Sequence, residues 1–599
     1  MKLRLFSLGT LVPIFLGQST IAADLYWDNG IADGAWGTAS NWSSDLAGTD
    51  TTAIPGSGDT AYFNITGLTT AQSIALGASR AVTGLVFNNS GGLVTLTGAA
   101  GQVLTIGSAG IKATGSTTNS SADTKVFTIA SSVSSVQLTG NQSWEATFAP
   151  ASGSTVRATD GLYILAPVTL AAGVGDTTLT LGGNSGSSTT PLNRIGGVIS
   201  DGANGALSIN MAPTAVNGRW SLSGNNTYTG ATTVTNGALT ISHANALGST
   251  ASGTTVESGG SVLFRATVTG TMASEAITLN GQGVDLKGAL RNVTGTNTWN
   301  GAITANTGTT GAPSNVNIGA GSAASFTIAS GITTDTGGSL NFTTDTTSAG
   351  QTATITVTGG ITGGANVKKI ANTTTVLGNG ILVLSGVNKT YTGTTNVDVG
   401  ILTLNTGITG TSAVTVGTGV AGNSATLRGD GGAINTAATT TISSTGTLTP
   451  GLMSSTIGAL SMGSLNLAAA STLAIDINST TSQSDLITIT GNLAIDASNA
   501  AILTLGDLGS TALSVGTIID IVRYSGTWNG GLLKFGSAAG PVIGDESTTV
   551  TAGLNTFQVN YDRTSGADNF VSLIVVPEPS ALALSGGALL ILGFRRRRR

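Results

Sequence analysis

Asn225 to Ile241 reads NNTYTGATTVTNGALTI, and Asn388 to Leu404 reads NKTYTGTTNVDVGILTL. Ten of the seventeen positions are identical, which leaves a spine N-x-T-Y-T-G-x-T-x-V-x-x-G-x-L-T. Each copy follows an apolar stretch ending Leu-Ser-Gly, WSLSG at Trp220–Gly224 and LVLSG at Leu382–Gly386. Agreement of that length exceeds what a biased composition produces, so the chain contains true repeats. A shorter step lies inside the first copy: Thr232-Thr233-Val234 is followed 22 residues later by Thr254-Thr255-Val256. That step suits one coil of a β-solenoid, with three short strands and three turns.

The rest of the composition agrees. Only 9% of residues are charged and 88 of 599 are glycine, while Val, Ile and Leu recur throughout, so the chain is neither disordered nor collagen-like. In ALTI (Ala238–Ile241) and AITL (Ala276–Leu279) apolar residues alternate with Thr, the pattern of strands with one face inward. Gly and Asn supply corners. There is no cysteine, which excludes thiolate metal sites, thiol nucleophiles and disulfides. A long core makes disulfides dispensable in an exported chain.

The two ends read as addresses. At the N-terminus Lys2 and Arg4 precede an apolar core, Leu5–Leu16, and small residues follow, with cleavage expected after Ala22 or Ala23. The C-terminus runs VPEPSALALSGGALLILGFRRRRR from Val576. As a helix, the fourteen residues Ala581–Phe594 would reach about 21 Å, short of the roughly 30 Å hydrocarbon core. Arg595, Arg596, Arg597, Arg598 and Arg599 then form a transmembrane stop on the cytoplasmic side. Pro577-Glu578-Pro579 stays extended and open to a processing enzyme. Setting aside Lys2, Arg4, Glu578 and the five terminal arginines leaves 16 basic and 27 acidic residues. The body is therefore near −11, which disfavours nucleic acid and anionic membrane as its partners.

These features carry two resemblances. The tail resembles the PEP-CTERM sorting signal of Gram-negative bacteria: Pro577, Glu578 and Pro579, a short transmembrane segment, then arginines. That resemblance implies an exosortase as processing partner and makes the motif a substrate, not a catalyst. The two repeat copies resemble the autotransporter-associated β-strand repeat of bacterial passenger domains, and imply a right-handed parallel β-helix. Weaker passenger-like sequence lies at Gly446–Leu452 and Ser471–Leu493, and Leu25–Trp42 resembles the start of such chains. A true autotransporter ends in a translocating β-barrel, whereas this chain ends in a helical anchor and arginines, which implies a different export route.

Candidate chemistry is thin. The single histidine, His243, has its nearest acid at Glu257, fourteen residues on and so less than one coil away. The acids Asp335, Asp345, Asp430, Asp476 and Asp485 are dispersed and expected to cap corners through backbone N–H groups. Arg428-Gly429-Asp430 matches an integrin-binding tripeptide, a weak signal in a Gly-rich chain. Trp27, Trp36 and Trp42 cluster after the leader, as either a platform for sugar rings or a cap over the open end of the solenoid. No catalytic residue, metal site or cofactor motif is identified.

The expectation is an all-β chain: signal peptide 1–23, parallel β-helix 24–562, a linker or the end of the body at 563–575, and the sorting signal 576–599 with its short C-terminal transmembrane helix. The precursor is expected to hang from the inner membrane by that helix and then move to the cell surface or extracellular matrix of a biofilm. Its role is expected to be structural or adhesive and non-enzymatic, with extracellular polysaccharide as partner and no nucleic acid. The alternative is a β-helix polysaccharide lyase or hydrolase, which a charged groove on one solenoid face would favour.

Overall fold

A computed structural model describes residues 22–63, 70–88, 93–115, 126–148, 161–184, 193–214, 218–269, 272–345, 352–371, 380–452 and 456–577. Among these residues every regular element is a strand except two short 3-10 turns, Ala39–Asn41 and Val284–Leu286. Most strands pair in parallel with the strand one coil earlier and one coil later, which is a parallel β-helix. The 22-residue step appears directly in the register: Thr232, Thr233 and Val234 pair with Thr254, Thr255 and Val256. Other rungs depart from it. The strand Arg219–Leu222 pairs 19 residues on, with Ala238–Ile241, whereas Val126 pairs with Gly161, 35 residues on. The step varies while the described strands keep their register.

Inward positions form continuous columns. Ile74, Leu96, Ile129, Ile164, Ile195, Leu222, Ile241 and Phe264 are successive partners on eight rungs. All eight are buried, and each such side chain contributes about 1.5–3 kcal/mol of hydrophobic stabilisation. The next member is Asn292. Its Nδ2 donates to the carbonyls of Gly295 (2.9 Å) and Ser325 (2.8 Å), and its Oδ1 accepts from Asn297 (2.9 Å). A polar group is tolerated in this column because its hydrogen bonds are made.

The repeated spine is one complete coil. The stretch before it lies beside its own last strand in both copies: Trp220 pairs with Leu239, and Leu382 with Leu402. Tyr228 and Tyr391 are fully buried, and their hydroxyls meet those of Thr232 and Thr395 at 2.6 Å. Gly237 and Gly400 turn the corner with φ of 69° and 89°. A Cβ there would lie 2.4 Å from the carbonyl oxygen of Gly218, or 2.5 Å from that of Gly380. Sequence and backbone conformation therefore select glycine together.

Both described ends are closed. At the first coil Trp27 and Trp42 pair on antiparallel strands with ring centroids 5.3 Å apart, and Trp36 stands edge-on to Trp42 at 4.9 Å. The cap runs into a stack of Phe63, Phe87 and Phe127 at 4.9 and 5.1 Å. At the far end Ile518–Tyr524 pairs antiparallel with Asp568–Val575, which pairs antiparallel with Asn555–Ser565. The segment 563–575, expected as a linker or the end of the body, is mostly strand and ends the body. Val571, Leu573 and Val575 alternate inward and are buried, so it belongs to the closing sheet. Arg563 binds both oxygens of Asp520 (2.6 and 2.7 Å), and Trp528 stacks on Tyr561 at 5.1 Å. The antiparallel turn-back ends the parallel stack and covers its last edge.

The expected transmembrane helix, residues 581–594, lies outside the described residues, as do the leader residues 1–21. Among the described residues no helix is long and apolar enough to cross a membrane.

Candidate functional site

The described residues concentrate charge at one place on the outer wall. Arg219 pairs with Ala238, which pairs with Ser261 on the following rung, and Leu263 pairs with Arg291 on the rung after that. Rungs lie about 4.8 Å apart, so Arg219, Arg265 and Arg291 rise from the wall within roughly 15 Å of one another along the axis. The corner loop between strands Ile277–Asn280 and Leu290–Asn292 folds back over this face. Val284 N donates to Ser261 Oγ (2.8 Å), which donates to the Gly288 carbonyl (2.9 Å). From later coils, Asn317 Nδ2 reaches the Leu286 carbonyl (2.7 Å) and Thr343 Oγ1 the Lys287 carbonyl (3.1 Å). These bonds hold Asp285 and Leu286 in left-handed backbone, φ 56° and 60°, a conformation that costs a non-glycine residue about 1 kcal/mol or more.

Wall and loop enclose a cleft of about 240 Å³. Four cations line it, Arg219, Arg265, Lys287 and Arg291, against one lining acid, Asp285. Leu263, Val284 and Val293 provide apolar wall between them. Arg291 forms a salt bridge with Asp345, and its own Nε is buried with no protein acceptor. Burial, reinforced by the charges of Arg219 and Arg291, lowers the Arg265 guanidinium to about 10. Arg219, only 3% exposed, is lowered by burial as well, with Asp285 opposing. Chemically, the cleft is a confined positive site with a partly apolar lining, suited to an oxyanion carried on a small, partly apolar body.

The residues singled out in the sequence lie elsewhere. Trp27, Trp36 and Trp42 are at most 1% exposed, so no face of these rings is open to a sugar. Pro577 is exposed, two residues beyond the final strand, while Glu578, Pro579 and Arg595 to Arg599 lie outside the described residues. His243 Nδ1 accepts from Asn245 N (3.1 Å), and Glu257 accepts from Asn280 (3.3 Å), so each is engaged with its own asparagine. Asp335, Asp430 and Asp485 accept backbone N–H bonds from Gly308 (3.0 Å), Ala459 (3.2 Å) and Gly458 (2.8 Å). Asp345 departs from that capping role through its pairing with Arg291. In the Arg-Gly-Asp tripeptide, Arg428 donates to Thr403 Oγ1 (2.9 Å) and, with Gly429, ends a ladder strand, while Asp430 follows in an exposed bend. Among the described residues no group of three His, Asp or Glu is placed to hold a metal ion.

Sequence reasoning passed over the cleft. Its signal was a spacing: Arg219, Arg265 and Arg291 are 46 and 26 residues apart, about two coils and one coil, in a body with few cations.

The passenger-associated-transport-repeat family model matches residues 217–241 and 375–404, the two copies of the spine. Among solved structures the chain is similar to the Haemophilus influenzae Hap adhesin, at 12% sequence identity with a TM-score of 0.25. That similarity covers 90% of this chain and 65% of the adhesin chain, so the protein spans just under two thirds of its length. No curated protein matches the sequence.

Proposed function

We propose that the protein is an exported, non-enzymatic β-helix of the cell surface or extracellular matrix, structural and adhesive, and sorted by an exosortase that reads Pro577-Glu578-Pro579. The observation that carries this reading is the passenger-associated repeat, matched at both copies and forming one closed coil in each. The matched model is described as passenger-associated and transport-related, which suits an exported body, and a stacked core makes disulfides unnecessary there. The layout of the ends supports it. The first strand starts at Asp24, directly after the leader-like stretch, and the last ends at Val575, directly before the Pro-Glu-Pro motif. Exposed Pro577 leaves a folded, capped domain, so a membrane enzyme reaches the motif without unfolding anything. Outward Thr, Ser and Asn rows give the rod hydrogen-bonding faces for glycans or neighbouring rods.

The test is replacement of Pro577, Glu578 and Pro579 by alanine in the producing cell. Retention of the variant in the membrane fraction, with the unaltered protein recovered outside, is the expected result. Equal export of both proteins would contradict sorting through this motif.

A further inference from the structure

Four of the sixteen cations in the acidic body line one cleft of about 240 Å³, and the loop above it is held in unfavourable backbone by hydrogen bonds from two later coils. Packing like charges together opposes folding, and the neighbouring outward positions on these rungs, Thr240 and Leu263, carry no charge. Such an arrangement is stabilised when an anion enters. The geometry points to a binding site for a carboxylate-bearing sugar residue of an extracellular polysaccharide, held by Arg219, Arg265, Lys287 and Arg291. The inference rests on reading the chain as a rod exposed to a polysaccharide matrix.

Three observations select this ligand. Arg265 and Arg291, the latter held in place by Asp345, line the cleft with guanidinium groups, which match the planar carboxylate. Leu263, Val284 and Val293 offer an apolar wall for the C–H face of a sugar ring, which a bare inorganic anion would not use. The size of the cleft admits one charged unit, and the net charge near −11 of the surrounding body repels densely charged polymers such as nucleic acid. Arg265, lowered to about 10, remains charged at neutral pH.

The experiment is calorimetric titration of the protein recovered from its producing cells with trigalacturonate, with neutral maltotriose and inorganic sulfate as comparisons. Trigalacturonate is expected to bind one site per chain and maltotriose not at all. The affinity is expected to fall about tenfold between about 0.05 M and about 0.5 M salt. Lys287→Gln and Arg265→Gln are each expected to weaken binding at least about tenfold. Asp285→Asn should tighten it by about threefold, a gain that misfolding cannot imitate, since Asn readily takes the left-handed backbone at this exposed position. Absence of binding, or equal binding by the Lys287→Gln and Asp285→Asn variants, overturns the proposal. Sulfate bound as tightly as trigalacturonate through the same residues also overturns it, by assigning the cleft to a free oxyanion. If trigalacturonate is bound and shortened, the cleft stands and the non-enzymatic reading falls. If the exported protein binds none, the reading of a surface rod stands and the cleft assignment falls.

Discussion

The Tyr228 hydroxyl lies 2.6 Å from that of Thr232 with both side chains sealed from solvent, and Tyr391 repeats the relationship with Thr395 one repeat later. Four residues apart, the pair spans Gly230 (Gly393 in the second copy) and ties the entry of the spine to its first strand. It explains why the motif keeps Tyr and Thr together where packing alone would accept Phe and Val. The second copy adds a further link, since Thr395 also meets Thr411 Oγ1 at 2.9 Å.

That difference makes the two tyrosines unequal. Tyr228→Phe should cost about 1–2 kcal/mol, because the buried Thr232 hydroxyl loses its hydrogen-bond partner. Tyr391→Phe should cost less, because Thr395 retains Thr411. Urea unfolding followed by circular dichroism reads the order, and a larger loss for Tyr391→Phe would contradict it.

Gly237→Ala and Gly400→Ala should each destabilise by about 2 kcal/mol or more. The new Cβ meets a carbonyl oxygen at 2.4 or 2.5 Å in a left-handed backbone that alanine adopts poorly. A melting temperature unchanged in either variant would refute the corner assignment.

Stability should depend on pH in an unusual way. Burial raises Glu275 and Asp485 to about 7, so the folded state holds protons there that the unfolded chain releases above about 4. Their contribution is full below the unfolded value and is lost as pH rises towards 7. Burial lowers Lys369 to about 7, with Asp398 opposing, and its ammonium donates to Thr344 Oγ1 (2.9 Å) and the Ile370 carbonyl (3.0 Å). Below pH 7 this charge is held at a cost, which fades between pH 7 and 10 as the unfolded chain binds the extra proton. These groups together predict a shallow minimum near pH 7. Glu275→Gln should flatten the acid limb and Lys369→Met the alkaline one, as read by melting temperature across the range.

Trp42→Ala should open the first coil. Trp42 packs against Trp27, Trp36 and Phe63 and donates its Nε1 to the Trp36 carbonyl (2.9 Å), so truncation should cost about 3–5 kcal/mol. Hydrogen exchange should rise in the strands Asp24–Trp27 and Thr60–Phe63 while the coils after Phe127 stay protected. Uniform loss of protection would mean that the solenoid unfolds as a single unit.

The coil itself was legible in the sequence because Thr232 and Thr254 occupy equivalent places on adjacent rungs, and alternation then assigned ALTI its inward residues. The variable step was not. Steps of 19 and 35 residues share no fixed period, so residues brought together across them could not be aligned beforehand. The spacing of Arg219, Arg265 and Arg291 hinted at their meeting, but the loop that brings Lys287 to them gave no such signal. Inward polar residues were equally hidden. Lys369 pairs with Phe342 in an apolar column, and Lys389 is fully buried with its ammonium donating to the carbonyls of Gly359, Ser385 and Val387. Hydrophobic alternation expects apolar residues at such sites, and carbonyls supplied by distant turns make the exceptions possible. The strand at Asp568–Val575 could not be told from a linker because its alternation is short and its partners, Ile518–Tyr524 and Asn555–Ser565, run antiparallel to it.

The most direct test of the central claim is the intact mass and C-terminal peptide of the protein recovered from the extracellular and membrane fractions. The account predicts an extracellular form that retains the closing strand Asp568–Val575 and lacks everything beyond the Pro577-Glu578-Pro579 region. A chain found only in membranes and still ending at Arg599 would contradict it.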